Sequence, residues 1–256
     1  MRIDLLANTA LPLTLEGTEL RFGDDVEPVE PTVCLAGEMR DAFYAPAVVD
    51  SKQQLYFIYR DLCLKKDKEL IKRHGLRYDI TIIPPALIGP EYVKTAGHYN
   101  PAAPGTDETY PEVYEVVQGQ AHFLLQYLDP DMGSVEEVAL FEAGPGDKVI
   151  VPPYRGVVII NPANETLVTA NWVADGFSSL YEPYAKLNGA IYYEVRVQGV
   201  STFIANPHYD YVPQLQRRLA RQYRDLDLVK GVPIYEAFIN NPDIFSYLTD
   251  PESCPD

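Results

Sequence analysis

The pattern of apolar and polar positions changes near residue 50 and again near residue 205. Between these points, from Arg77 onward, short apolar runs follow one another at regular spacing, separated in places by turn sequences such as QG and GPGD. Such runs are typical of β-strands. In order they read RYDITIIP, EYVKTAGHY, EVYEVVQG, AHFLLQYL, EEVALFEA, DKVIVPP, VVIIN, LVTANWV and AIYYEVRV. Many short strands with few intervening helices predict an all-β barrel or sandwich.

Two segments outside these runs have helical spacing. The segment 61–74 has one, and Gly75 is the expected C-terminal stop. Apolar residues after position 206 recur at i, i+4, i+8 and i+11, which predicts one face of a helix. They are Leu215, Leu219, Tyr223 and Leu226. We therefore expect an N-terminal arm over residues 1–50, a barrel domain over 51–205 and a helical C-terminal extension over 206–256.

Charge and cysteine usage restrict the partners and the compartment. The chain carries 37 acidic and 21 basic residues, a net charge of −16, which argues against nucleic acid or an anionic membrane as a partner. The three cysteines are scattered and form no CxxC pair, as is typical of free thiols in a reducing cytoplasm. The sequence shows no signal peptide and no apolar run of about 20 residues. We expect a cytoplasmic protein.

The first candidate site is the sequence Gly97-His98-Tyr99-Asn100, followed by Glu112. Residues two apart on a strand face the same side, so His98 and Asn100 are expected to project together, and Glu112 can join them from the next strand. An imidazole and a carboxylate inside a barrel suit a divalent metal such as Zn, Fe, Mn or Ni. The usual form of such a site has a second histidine where this chain has Asn100.

A second motif, GDKVIVPPYRGVVIIN, begins at Gly146 and ends at Asn161. Together the two motifs resemble cupin motifs 1 and 2. Within the cupins, KTAGHY, PEVYE and the PP strand are similar to the archaeal-type (cupin) glucose-6-phosphate isomerase family, over roughly residues 50–200. The matching residues are Gly89, Glu91, Lys94, Thr95, Gly97, His98, Glu112 and Tyr114.

The resemblance implies an all-β fold, a cupin double-stranded β-helix (jelly-roll) barrel, and interconversion of glucose 6-phosphate and fructose 6-phosphate. Members of this family bind a metal through three histidines and one glutamate. His98 and Glu112 occupy two of these positions, whereas Asn100 and Val157 occupy the other two. A bound divalent metal (Fe, Mn, Ni or Zn) is therefore possible, and so is its absence.

The resemblance also implies roles for individual residues. Glu112 is the expected general base, and Tyr114 is a second catalytic residue, a hydroxyl in contact with the sugar. Recognition of the phosphate group is expected at four positions, Thr81, Lys94, Thr95 and Gly97. The small-molecule partner would be a sugar phosphate, and a homodimer is expected because such barrels leave sheet edges that swapped strands can cover.

Each of these residues also has a structural interpretation. His98 can be a hydrogen-bonded barrel histidine, Lys94 a strand residue that reaches solvent and Tyr114 a core aromatic. Three hypotheses follow for the whole protein: a metal-dependent isomerase, a metal-free cupin that binds a sugar or sugar phosphate without catalysis, and a metal-independent isomerase or epimerase acting on another sugar.

Overall fold

The computed structural model describes residues 2–255 and consists mainly of β-strands. The strands of this range are β1 (Arg2–Asp4), β2 (Leu13–Glu16), β3 (Glu19–Phe22), β4 (Thr32–Leu35), β5 (Gln54–Tyr59), β6 (Leu76–Ile83), β7 (Leu87–Ile88), β8 (Glu91–Tyr92), β9 (Glu112–Gln118), β10 (Ala121–Leu128), β11 (Val135–Ala143), β12 (Lys148–Val151), β13 (Arg155–Ile160), β14 (Leu167–Ala174), β15 (Tyr192–Val197), β16 (Val200–Ala205) and β17 (Leu215–Leu219).

Helices are short and lie between the strands or near the C-terminus. The α-helices are α1 (Leu6–Thr9), α2 (Lys68–Arg73), α3 (Glu182–Lys186) and α4 (Ile234–Asn240). Turns of 3₁₀ helix occupy Ala36–Ala42, Pro46–Val48, Arg224–Leu226, Pro242–Leu248 and Pro251–Ser253. None of the helices in residues 2–255 is long and apolar enough to cross a lipid bilayer.

Two sheets face each other and enclose the barrel. One has the strand order β12-β9-β14-β6-β5-β4 and the other β13-β10-β11-β17, and within them only β11 and β17 run parallel. Apolar side chains of both sheets fill the space between them, among them Val149 and Tyr114 from the first sheet and Phe123 and Val157 from the second. The cupin double-stranded barrel predicted from the sequence is confirmed.

The six-stranded sheet is buried on both faces, because the two ends of the chain cover its outer side. The sheet β1-β2-β3 packs there together with helix α4. The indole nitrogen of Trp172, on β14, donates a hydrogen bond to the carbonyl of Ile234, and its ring stacks on Tyr235 with centroids 5.7 Å apart. The outward-facing residues of β6 and β14 are therefore apolar, and the polar residues of these strands face the interior of the barrel.

The helix expected over residues 61–74 is shorter than predicted. It begins at Lys68, because tertiary contacts hold the preceding residues in other conformations. Asp61 has a φ of 59°, and the amide of Leu64 donates to the hydroxyl of Tyr235. Gly75, with a φ of 64°, follows the end of the helix as predicted.

The helix predicted over residues 215–226 is wrong. Leu215–Leu219 form strand β17, which pairs in parallel with β11, and the extension becomes α-helical only from Ile234. Residues four apart share a side in a strand as well as in a helix, so the spacing of Leu215 and Leu219 did not discriminate between them. The unpaired edge of β11 decided the outcome, because its free N–H and C=O groups need partners.

Candidate functional site

The register of three neighbouring strands, β6, β14 and β9, brings polar side chains into rows on the inner face of the barrel. Asn171 on β14 lies opposite Asp79 on β6 and Tyr114 on β9. One row away, Val173 lies opposite Arg77 and Glu112. These side chains alternate with apolar ones that face outward, so the same strands supply both the site and the outer core.

Glu112 lies at the centre of this site and is almost completely buried. Its Oε1 accepts hydrogen bonds from His98 Nε2 and from Asn100 Nδ2, both at 2.8 Å. Its Oε2 accepts one from Asn171 Nδ2 at 3.2 Å, and the hydroxyl of Tyr114 is a further donor. A carboxylate has about four lone-pair positions, so these four donors use its whole capacity.

The charge state of Glu112 results from two opposing effects. Burial alone raises its pKa, but the nearby His98 and the hydrogen bonds from His98, Tyr114 and Asn100 lower it more, so the net shift of the pKa is downward. Glu112 is therefore ionised at neutral pH. An ionised carboxylate only accepts hydrogen bonds, so Nε2 of His98 is the donor to Glu112, and Nδ1 is the ring nitrogen that does not contact the carboxylate.

The side-chain amide of Asn100 is oriented unfavourably for metal binding. Its Nδ2 donates to Glu112 and to the carbonyl of Tyr110, whereas its Oδ1 accepts from Ser179. The atom that faces the carboxylate is thus an N–H donor, which cannot ligate a cation. As strand alternation predicts, Asn100 and His98 do reach the same point, since both contact one oxygen of Glu112.

Val157 occupies the remaining ligand position that the resemblance implies. It pairs with His98 as a β-bridge, and its side chain is buried in the barrel interior. Within residues 2–255, no group of three or more His, Cys, Asp or Glu side chains is arranged to hold a metal ion. Because the oxygens of Glu112 are already bonded to N–H and O–H donors, the residues present do not fit a divalent metal.

The cavity beside Glu112 and His98 has a volume of about 70 Å³ and contains three of the four residues expected to recognise phosphate. Thr81, Thr95 and Gly97 line it. Gly97 has a φ of 78°, and a Cβ there would lie 2.7 Å from Val158, so only glycine fits at this position before His98.

The fourth residue, Lys94, lies elsewhere. Its ammonium group is buried and forms an ion pair with Glu91, donates to the carbonyl of Ala42 and lies over the rings of Phe43 and Tyr193. These contacts attach the N-terminal arm to the barrel. The structure therefore does not bring Lys94 to the cavity, because its charge is already compensated by a buried carboxylate.

The cavity residues that were not identified from the sequence include four with charged or amide side chains: Arg60, Arg77, Asp79 and Asn171. Arg77 Nε donates to both oxygens of Asp79 at 2.9 and 3.0 Å. Burial raises the pKa of Asp79 to about 6, although Arg77 and the amide of Asp61 act in the opposite direction. The run RYDIT carried a usable signal, since its polar residues alternate within a strand that is otherwise apolar.

His122 forms a second histidine–glutamate pair, outside this cavity, in which the glutamate is buried and the histidine half-buried. Its Nδ1 lies 2.8 Å from Oε2 of Glu194, and Oε1 of the same carboxylate accepts from the hydroxyl of Ser201. The side chains of His122 and His98 are similarly exposed, at 16% and 18%. The two pairs differ in position, and this makes His122 a suitable control for experiments on His98.

A protein-family model described as Glucose-6-phosphate isomerase (GPI) matches residues 36–213, which is more than half of the chain. No curated protein sequence matches the chain significantly. Among solved structures, oxalate decarboxylase from Bacillus subtilis is similar, with 16% identity and a TM-score of 0.36 over 50% of this chain and 28% of that chain.

Two further solved structures are similar at the same level. Oxalate decarboxylase from Lactobacillus farciminis, in a formate complex, shares 17% identity over 49% of this chain and 30% of that chain, with a TM-score of 0.36. Peruvianin-I, a cysteine peptidase from Thevetia peruviana latex, shares 12% identity over 46% and 60%, with a TM-score of 0.33. This chain thus aligns with less than two thirds of each of these three structures.

Proposed function

Because the chain belongs to the cupin-type glucose-6-phosphate isomerase family, we propose that its barrel cavity binds a sugar phosphate and interconverts the aldose and ketose forms through an enediol intermediate. We further propose that the reaction needs no metal ion. The observation that carries it is the His98–Glu112 pair in the wall of a polar cavity.

Isomerisation needs a base that removes the proton from C2 of the open-chain aldose. The electron pair then forms the C1–C2 double bond while the C1 carbonyl oxygen takes up a proton, which gives the enediol. Return of a proton to C1, with loss of the O2 proton and formation of the C2=O bond, gives the ketose. A base with a pKa near the working pH is the most effective. An imidazole meets this requirement in general, and Nδ1 of His98 is the ring nitrogen that Glu112 leaves available.

We assign Glu112 a supporting role rather than the role of general base expected from the sequence. Its oxygens accept four donors, so no lone pair is directed at a substrate carbon. Instead the carboxylate fixes the tautomer of His98 and stabilises the imidazolium ion that forms when His98 takes up the proton. Tyr114 holds Glu112 in place.

Stabilisation of the developing oxyanion falls to hydrogen-bond donors on the same wall. Thr81 and Asn171 both line the cavity, and Asn171 donates one of its two amide hydrogens to Glu112. Donors that are fixed in position before the reaction lower the energy of an enediolate without reorganisation. These donors would stabilise the oxyanion in place of the metal ion that relatives with a complete set of ligands would use.

We also propose that the protein is cytoplasmic and forms a homodimer. The thiols of Cys34 and Cys63, which form no disulfide bond within residues 2–255, are in keeping with a reducing compartment. For the dimer, the support is the family resemblance together with the open sheet edges that remain at β4 and β16.

The test is conversion of glucose 6-phosphate to fructose 6-phosphate by protein that has been dialysed against a chelator. We expect turnover in the wild type and a loss of at least about 100-fold in His98→Gln, the low end of the effect of a general base. His122→Gln is the matched control and should keep its activity. Deuterium from the solvent should appear at C1 of the product.

Two results would contradict the proposal. Turnover that appears only after addition of a divalent metal would restore the metal-dependent mechanism. Equal activity of His98→Gln and His122→Gln would remove His98 from the reaction.

A second candidate function is binding without catalysis. The saturated hydrogen bonding of Glu112 favours it, because a carboxylate without a free lone pair reacts poorly. Saturable binding of glucose 6-phosphate by a protein that exchanges no C2 proton, with or without metal, would identify this function.

A further inference from the structure

Strand β17 ends the second sheet with an open edge. It pairs with β11 along one side, and no strand within residues 2–255 pairs with its other side. Residues 216–219 of this strand are exposed, and they include the large apolar side chain of Leu219. The unpaired N–H and C=O groups along an exposed strand form a template on which another extended chain can pair.

The segment that carries this edge is strongly basic, although the chain as a whole is acidic. Residues 215–224 read LQRRLARQYR and contain no acidic residue, in a chain whose net charge is −16. Their arginines are Arg217, Arg218, Arg221 and Arg224. A concentration of one sign of charge against the net charge of the protein attracts a partner of opposite charge.

The carboxylates of the barrel compensate this positive charge only in part. Arg218 and Arg155 share a single carboxylate, that of Glu137, at 2.6 and 2.8 Å. The guanidinium group of Arg221 lies over the ring of Tyr223, 4.6 Å from its centre, and pairs with no carboxylate within residues 2–255. The strand and the residues that follow it therefore keep an excess of positive charge.

A guanidinium group is present on each face of the strand. Arg217 lies opposite Leu140, whose side chain packs outside the barrel, and pairs with Glu142 at 2.7 Å. Arg218 lies opposite Phe141, whose side chain packs towards the barrel interior. A strand that paired with the open edge of β17 would therefore meet one arginine on each of its own faces.

A groove with a volume of about 1070 Å³ lies beside β17. Besides Leu219, its wall contains the rings of Tyr127, Phe141, Tyr154 and Tyr223. Sites for small ligands typically measure about 300–1,000 Å³, so this groove has room for more than one side chain of a bound peptide. Aromatic rings supply a large contact area at an interface.

The acidic residues of the groove come from other segments of the chain. They are Asp107 and Glu108, in the loop before β9, and Glu252 near the C-terminus. Glu252 already accepts a hydrogen bond from the hydroxyl of Thr106 at 3.0 Å. The strand thus supplies the positive charge of the groove, and its acidic residues lie on the other segments.

A second copy of the chain is a poor occupant of this edge. Antiparallel pairing of two β17 strands centred on Arg217 would place Arg217 opposite its own copy and Arg218 opposite Gln216. Like charges directly opposite each other on neighbouring strands are destabilising, whereas opposite charges are stabilising. The charges therefore favour an acidic strand over another copy of β17.

We propose that the open edge of β17 binds an extended, acidic peptide segment of a partner protein, which adds a strand to the second sheet. Its Asp and Glu side chains pair with Arg217 and Arg218, and an apolar or aromatic side chain enters the groove beside Leu219. In this mode of recognition the main-chain hydrogen bonds give affinity and the side chains give specificity. The proposed reaction on a sugar phosphate plays no part in it.

The test measures the fluorescence anisotropy of two labelled peptides, the acidic EVDEFEV and the basic KVKKFKV. The wild type should bind EVDEFEV at least about tenfold more tightly than KVKKFKV, because like charges repel across an interface. Binding should weaken as the salt concentration rises, since the arginines are exposed.

Methylation of alternate backbone amides distinguishes strand pairing from simple attraction of charges. It leaves the charges of EVDEFEV unchanged and is made in each of the two possible phases. One phase should abolish binding, because its missing N–H groups would face β17. The other phase should keep it, because successive N–H groups of a strand point to opposite sides.

Arg217→Gln combined with Arg218→Gln should weaken the binding of EVDEFEV about five- to tenfold, the combined effect of two exposed ion pairs. Glu137 keeps Arg155 in this variant, so it is expected to fold. Lys72→Gln combined with Arg73→Gln, at exposed positions of α2, is the matched control and should bind the peptide as the wild type does.

Binding that is lost in one phase of methylation and weakened in the Arg217/Arg218 variant supports the proposal. Equal binding of the two methylated peptides overturns it, because strand pairing would then be absent. Equal losses in the variant and its control overturn the role of the two arginines. Binding of EVDEFEV weaker than about 1 mM, or tighter binding of a single-stranded RNA, would overturn the assignment of an acidic peptide.

Discussion

At the scale of single residues, two positions determine whether the barrel can hold a metal. Asn100 offers an N–H to Glu112 where an imidazole would offer a lone pair, and Val157 offers only methyl groups. The sequence could identify both substitutions by position. It could not show that Asn171 and Tyr114 also donate to Glu112, because those contacts depend on the register of β14 and β9.

Restoring the two histidines should restore metal binding. In Asn100→His combined with Val157→His, three imidazoles and Glu112 would surround one point, and neutral imidazole nitrogens ligate Zn, Fe, Mn and Ni. We expect metal affinity to rise by more than about 100-fold, since losing even the hydrogen-bonded partner of a ligand costs about 10–100-fold. Titration of chelator-treated protein with Zn measures it.

The single variants Asn100→His and Val157→His are the controls and should bind metal more weakly than the double variant. Circular dichroism checks that the buried histidine at position 157 is tolerated. A folded double variant with unchanged affinity would mean that these positions do not face the site.

Asp79 should give the stability a specific pH dependence. Its pKa in the folded protein is about 6, against about 3.9 in an unfolded chain. A raised pKa stabilises the fold fully below about pH 4, and this contribution is lost as the pH rises to about 6. Over this pH range the contribution of Asp79 to the free energy of unfolding should fall by an amount on the order of 3 kcal/mol. Solvent screens this contribution little, because the side chain is buried.

Urea unfolding of the wild type and of Asp79→Asn between pH 4 and pH 7 tests this. The stability of the variant relative to the wild type should increase from pH 4 to pH 6 and then level off. Asp175→Asn, whose carboxylate is mostly exposed, is the control and should follow the wild type. Parallel curves for Asp79→Asn would show that Asp79 is ionised throughout.

Tyr154 adopts a left-handed backbone conformation although it is not a glycine. Cupin motif 2 usually has a glycine at this position, and Tyr154 has a φ of 61°, in the left-handed region that glycine favours. The backbone at Tyr154 therefore adopts a conformation that a glycine would adopt more readily. The amide of Tyr154 is held by Thr109, whose hydroxyl accepts its hydrogen at 2.6 Å.

At the scale of secondary-structure elements, a buried ion pair attaches the C-terminal segment to the barrel. Lys148 on β12 lies 3.0 Å from Glu115 on β9, and the two side chains are 1% and 2% exposed. Lys148 also donates to the carbonyl of Val229, and Glu115 accepts from the amide of Ile234 at the start of α4. The pair thus bonds to two backbone groups of the segment 229–234 that water would otherwise solvate.

Breaking this pair from one side should be costly. Lys148→Met leaves a buried carboxylate without its cation, which typically destabilises a protein by about 3–5 kcal/mol. Adding Glu115→Gln should recover part of that loss, because the neutral amide no longer needs a cation. Urea unfolding of the single and double variants measures the coupling.

Lys186→Met, in the exposed pair with Glu182, is the control and should change the stability little. Additive effects of Lys148→Met and Glu115→Gln would mean that the two buried groups do not depend on each other.

Strand β17 shows the limit of periodicity at this scale. The i, i+4 spacing predicted a helix, but pairing with β11 supplies the backbone hydrogen bonds instead. Its side chains are largely exposed, with Leu219 83% exposed, so no burial of an apolar helix face favoured the helix. For short segments, the availability of a sheet edge outweighs the spacing of a few leucines.

At the scale of the whole molecule, the two chain ends are part of the core of the described residues. Leu5, Leu11 and Leu13 from the N-terminal arm join Phe238 and Phe245 from the C-terminal extension in one cluster behind the six-stranded sheet. The arm predicted over residues 1–50 does pack on the barrel, but its last strand, β4, belongs to the main sheet. The domain boundaries and the homodimer stay predictions.

The sequence by itself determined the barrel class, the family and the positions of His98, Asn100, Glu112 and Val157. It could do so because alternation along a strand and short motifs are local properties of the chain. Only the tertiary structure decided what those residues do together. Hydrogen bonds across three strands saturate Glu112, a buried carboxylate withdraws Lys94 from the cavity, and the fold brings Arg60 and Arg77 to the cavity wall. These outcomes depend on which groups meet in space, and spacing along the chain does not encode that.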